Sequence, residues 1–102
     1  MHPAIEQHKL AISGICVRFH IKRLEVFGSA ARASDFNPES SDADFLVEFS
    51  ADADHGLQLF FGAKTALEKA LGRGVDLIES GSVKNPFVLA AINAHKESVY
   101  AA

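Results

Sequence analysis

The sequence predicts a single α/β (α+β) domain: a small mixed β-sheet flanked by helices. Two observations carry this. Short apolar runs of strand length alternate with longer stretches at helical spacing, the pattern of helices layered on a sheet. The length of 102 residues suits one domain. A chain of that size buries roughly 60–70% of its unfolded surface, enough for one core.

The elements follow in order. Pro3 to about His20 reads as a helix, with Pro3 in its first turn. Ile5, Ile12, Ile15, Cys16 and Phe19 recur near helical spacing and make its apolar face. Leu24 to Phe27 reads as a short buried strand, ended by Gly28. Ser29 to about Ala33 can form a short helix capped by Ser29, and "SDFNPESS" after it is loop by composition. Asp44 to Phe49 reads as a second strand with Phe45, Val47 and Phe49 on one face.

"SADAD" is then a turn, with one of its aspartates capping a helix from His55 to about Leu71. Leu57, Phe60, Phe61, Leu67 and Leu71 carry that helix's apolar face, and Gly72 or Gly74 stops it. "VDLIE", Val75 to Glu79, is a third strand. Asn85 and Pro86 cap and open a last helix that ends near Tyr100.

Composition narrows the function classes. A hydrophobic fraction of 48% and a charged fraction of 23% are those of a globular protein. The net charge of −3 argues against a protein that holds nucleic acid by its whole surface. Arg18, Lys22 and Arg23 leave room for a local basic patch. The single cysteine, Cys16, excludes an internal disulfide and reads as a buried structural thiol. The five histidines show no metal-ligand spacing. No run approaches the ~20 residues of a membrane span, and the chain is expected to be cytoplasmic.

Three aspartates lie on or beside expected strands: Asp42, Asp44 and Asp76. Strand alternation turns Asp42 and Asp44 to one side, where like charges repel and a divalent cation is the natural remedy. If the Asp76 strand lies beside theirs, three carboxylates converge, enough for a two-metal site of phosphoryl transfer. Taken singly, each has a plainer explanation. An Asp-x-Asp at a strand start is often only a turn, and Asp76 alone could be an ion pair. Glu48 and Glu79 do not share the spacing and read as surface or structural.

The Gly28–Ser29 pair adds a second requirement. Glycine after a strand lets the backbone approach a ligand, and a helix beginning at Ser29 would offer free amides to an anion. By itself the pair is more simply a helix cap. Arg32, about one helical turn on, could reach a phosphate oxygen or be solvated.

Together, "FGSAAR", "SSDADFLV" and "GVDLIE" resemble the minimal nucleotidyltransferases of the DNA polymerase β-like superfamily, over nearly the whole chain. The resemblance implies a single nucleotidyltransferase domain over residues 1–102. It implies that Gly28, Ser29 and Arg32 bind the nucleotide. It implies that Asp42, Asp44 and Asp76 are catalytic and hold Mg²⁺, two ions in all, with ATP as substrate. A nucleoside monophosphate, AMP, would pass to an acceptor as pyrophosphate leaves.

Small stand-alone members act as antitoxins beside a HEPN-type protein and can transfer AMP to it. A HEPN-type partner is therefore expected, in a homo- or hetero-oligomer, without membrane or nucleic acid. Two features depart from the pattern. The spacer Ala30 to Ser41 is twelve residues long, against about ten in the family. Ala43 stands where a larger apolar residue is usual. The competing function is a non-catalytic binding subunit, or an antitoxin that acts by occlusion. A third is a subunit that conjugates nucleotides onto small molecules or RNA.

Overall fold

The centre of the fold is the strand Ala43–Phe49 (β2), whose side chains alternate without a break. Ala43, Phe45, Val47 and Phe49 are buried, while Asp44, Leu46 and Glu48 are half-buried on the other side. The computed structural model describes residues 2–28, 42–51 and 56–102. In these segments β2 is flanked by β1 (Ile21–Phe27) and β3 (Val75–Glu79), and β4 (Glu97–Ala101) lies beyond β1. The sheet order is β3-β2-β1-β4. Pairs β1–β2 and β1–β4 are antiparallel and β2–β3 is parallel, so the sheet is mixed as expected.

Four helices are described: α1 (Pro3–Glu6), α2 (Lys9–Arg18), α3 (Leu57–Leu71) and α4 (Pro86–His95). Ile12, Ile15 and Cys16 of α2 and Ala63, Leu67 and Leu71 of α3 pack into one core with Leu24, Val26, Phe45, Val47, Val75, Leu77 and Val99. That core lies on the Phe45 face of the sheet, so Asp44 is left on the opposite face. Burial pushes the Cys16 thiol up to about 12, which makes it inert packing. Among the described residues no helix is long and apolar enough to cross a membrane.

Several expectations need correction. The single first helix is two helices, broken at Gln7–His8, with the His2 imidazole capping α1 at 3.0 Å from the Ala4 amide. The second of them ends at Arg18, and His20 takes φ 59 to turn into β1. Strand β1 begins at Ile21 rather than Leu24. A register shift between Ile21 and Arg23 lets the two exposed basic residues, Lys22 and Arg23, follow one another without burying either.

The last helix stops at His95, and Glu97–Ala101, expected to be its final turns, forms β4. Extended Lys96 (ψ 143) makes the break, and its ammonium reaches the Glu25 carboxylate of β1 at 3.4 Å. Leu57 and Phe61 of α3 are exposed, because Phe60, Ala63, Leu67 and Leu71 form the stripe that meets the core. Helix α3 starts at Leu57 with Gly56 as its N-cap, rather than at His55 behind an aspartate cap; the aspartates of "SADAD" and the short helix expected after Gly28 fall outside the described residues.

Helix α3 is stopped by Gly72 in the left-handed conformation, φ 67, with its amide on the Glu68 carbonyl at 2.8 Å. Glu68 then ties the helix to β3. Its carboxylate accepts from Lys64 Nζ at 3.1 Å and from the Val75 amide at 3.3 Å. The Lys64 hydrogen bond, then the Val75 amide, hold the Glu68 carboxyl below its ordinary value of 4.5. The folded form is therefore favoured by the ionised carboxylate above pH 4.5, and that contribution is lost as the pH falls through the lowered value. In Glu68→Gln the stability gap to the parent should be constant near neutrality and shrink towards pH 3. Urea unfolding at a series of pH values measures this, and a pH-independent gap would contradict it.

Candidate active site

At one end of the sheet the ends of β1, β2 and β3 meet. The antiparallel register sets Phe27 opposite Asp44, and the parallel register sets Asp44 opposite Asp76. Neighbouring strands lie about 4.8 Å apart, and registered residues face the same side. Asp44 and Asp76 thus stand side by side on the face away from the core. Asp76 is exposed because β3 is an edge strand, which removes the cost a carboxylate among apolar residues would otherwise carry.

Gly28 closes β1 with φ 68, a conformation that suits glycine. A Cβ placed on it would lie 2.5 Å from Asp44 Oδ2. Gly28 is therefore small for two reasons: its backbone turns left-handed, and the Asp44 carboxylate rests against it. Asp42 immediately precedes β2 and is exposed. Its carboxylate rests on a second glycine: a Cβ on Gly74 would lie 2.5 Å from Asp42 Oδ1. The Ala43 amide donates to the Gly74 carbonyl at 3.1 Å and holds the two segments together. Sequence reading offered Gly74 only as a possible helix stop. Its contact with Asp42 depends on the β2–β3 register, which no local pattern announces.

The structure thus brings Gly28, Asp44 and Asp76 to one sheet end and sets Asp42 beside them. Among the described residues, no three His, Cys, Asp or Glu side chains gather as a ready-made metal cluster. The donor set nevertheless fits Mg²⁺. It is all carboxylate oxygen, and Mg²⁺ is usually held by one or two carboxylates with substrate phosphates, not by a full protein cage. Ser29 and Arg32 lie outside the described residues.

Beside Gly28 lies a cavity of about 400 Å³ lined by Phe27, Gly28, Phe87, Val88, Ala91 and Ile92. A larger one, about 670 Å³, is bounded by Arg18, His20 and the start of α3 and contains none of the candidate residues. Chemistry favours the smaller, because Gly28, on which the Asp44 carboxylate rests, lines it. Phe87 is 85% exposed there.

A mixed sheet with aspartates registered across two strands beside a strand-ending glycine is an arrangement suited to phosphoryl transfer. Residues 9–101 match the nucleotidyltransferase domain family, and the chain belongs to that family. It is a nucleotidyltransferase, of the minimal kind its motifs resemble. A Methanocaldococcus jannaschii protein assigned as a protein adenylyltransferase is 37% identical over 75 residues, 74% of this chain and 72% of that protein. A solved structure described as a minimal nucleotidyltransferase superposes with TM-score 0.74 at 28% identity, covering 95% of both chains. The fold is also that of one chain in a solved complex of an AMPylated Shewanella oneidensis HEPN toxin with MNT antitoxin. There the TM-score is 0.65 at 15% identity, with 96% of this chain and 73% of that one covered.

The double demand on Gly28 is separable by experiment. Gly28→Ala and Gly72→Ala place alanine at nearly the same φ, 68 and 67, but nothing lies within 4 Å of a Cβ at Gly72. Each should lose about 1–2 kcal/mol in urea unfolding. Only Gly28→Ala should also abolish nucleotidyl transfer, because only there must Asp44 move. Equal activity in the two variants would contradict the contact.

Proposed function

We propose that this chain transfers AMP from ATP to a hydroxyl group of a protein, as the antitoxin of a HEPN/MNT pair whose HEPN-type partner is the acceptor. The observation that carries the reading is the row Gly28, Asp44 and Asp76 at one end of the sheet. The protein adenylyltransferase relative and the AMPylated toxin complex support the acceptor class.

In this reading Gly28, Ser29 and Arg32 bind the triphosphate. The acceptor oxygen attacks the α-phosphorus, forming one P–O bond as the bond to the bridging oxygen breaks. Pyrophosphate leaves. Asp76, exposed on its edge strand, is open to the incoming acceptor and takes the hydroxyl proton. Asp42, Asp44 and Asp76 would hold Mg²⁺, which when bound neutralises phosphate charge and keeps the attacking and leaving oxygens in line.

A second reading is occlusion without chemistry. It draws on the exposed Phe87, Val88 and Leu89 of α4 as a contact surface.

Incubation with Mg²⁺, labelled ATP and the neighbouring gene product tests both. Label should appear on the partner, and Asp42→Ala or Asp44→Asn should reduce it by roughly a hundred-fold or more. Absence of label with the parent protein would reject transfer. Partner neutralisation that survives intact in Asp44→Asn would favour occlusion.

A further inference from the structure

The geometry points to Gly74 as a positioning residue for Asp42: the bare Cα of Gly74 provides the place in which the Asp42 carboxylate stands. This rests on the reading of Asp42 as a metal ligand and adds a residue to it.

Three observations carry the inference. The first is contact. A Cβ on Gly74 would lie 2.5 Å from Asp42 Oδ1, 3.0 Å from its Cγ and 3.4 Å from Oδ2. All three nearest atoms belong to that one carboxylate, so a side chain at 74 would meet nothing else first. The second is conformation. Gly28, Gly72 and Gly81 have positive φ, whereas Gly74 does not. No turn geometry asks for glycine there, which leaves the carboxylate as the feature that does. The third is the mirror contact across β2. Asp44 rests on Gly28 of β1 as Asp42 rests on Gly74 beside β3. Each acidic residue of the Asp-x-Asp pair thus leans on a glycine of a different neighbouring segment. One lies just before β2 and the other within it, and each has its own glycine neighbour.

The consequence for a substitution is specific. Asp42 is exposed, and its carboxylate is the free end of a flexible side chain. An alanine at 74 meets no backbone obstacle and displaces the carboxylate instead. The effect falls on where the oxygen atoms stand and leaves the fold intact. Groups that only orient a metal ligand commonly alter metal affinity by 10–100-fold when changed.

The test is Mn²⁺ binding by the full chain, followed by electron paramagnetic resonance of the free ion, in the parent, Gly74→Ala, Asp42→Asn and the double variant. Gly74→Ala should weaken Mn²⁺ binding about ten-fold. Its melting temperature should equal or exceed the parent's, since alanine at an ordinary φ restricts the unfolded chain. In the Asp42→Asn background, Gly74→Ala should add nothing. Weakening by Asp42→Asn with unchanged or tighter binding in Gly74→Ala would overturn the inference alone. So would an equal loss from Gly74→Ala in both backgrounds, which would place its action elsewhere. If Asp42→Asn itself leaves Mn²⁺ binding unchanged, the ligand reading of Asp42 falls, and the role of Gly74 with it.

Discussion

The register of β2 between its two neighbours is the constraint on which everything else rests. Because strand side chains alternate with a period of two, one choice of facing buries Ala43, Phe45, Val47 and Phe49 and turns Asp44 outward. A slip of one residue would put carboxylates under α2 and α3 and two phenylalanines into solvent. The core therefore specifies the active face without any help from the site itself. Desolvating several large apolar side chains outweighs the repulsion of a few partly exposed carboxylates by a wide margin, at about 1.5–3 kcal/mol for each side chain fully buried.

The same register explains why the acidic residues are tolerable together. Asp44 and Asp76 come from different strands, and only their shared row brings them adjacent. Both lie on the side of the sheet that the main core does not cover, and Asp76 is on an edge. Water can therefore screen them in a way that a buried pair would not allow. The helices secure the row from behind. Gly72 ends α3, and Glu68 reaches past it to the amide that begins β3. That link acts one residue before Asp76, so a core helix bears directly on the carboxylate's position.

Much of this was legible in the sequence, for identifiable reasons. Strand β2 announces itself by alternation and β3 by the apolar Val75, Leu77 and Ile78 around Asp76. The α4 start announces itself by Asn85 and Pro86, whose cap accepts from the Phe87 amide at 2.9 Å. What stayed hidden depends on partners distant in sequence. Strand β4 carries only one buried residue, Val99, and follows a helix without a glycine or proline between them. It is a strand because β1 offers it an open edge, and local composition cannot report that. Ile21 was obscured by Lys22 and Arg23, which a bulge accommodates. Leu57 and Phe61 look like core residues by type and are exposed by their place on the helix. In the site, the acidic residue types and their strands could be read, whereas Gly74 acquires meaning only when β3 is laid beside β2.

The two glycines at the aspartate pair also bear on how few ligands the chain needs to contribute. Proteins that hold Mg²⁺ usually give it one or two carboxylates and leave the rest of its shell to water and substrate phosphates, so a full cage of protein ligands is not required. The Asp44 carboxylate rests on Gly28, just after β1, and the Asp42 carboxylate on Gly74, just before β3, so each is placed by a segment on a different side of β2. Like charges repel by about 332/(ε·r) kcal/mol, so the exposure of Asp42 and Asp76 to water lowers the cost of gathering carboxylates at one end of the sheet.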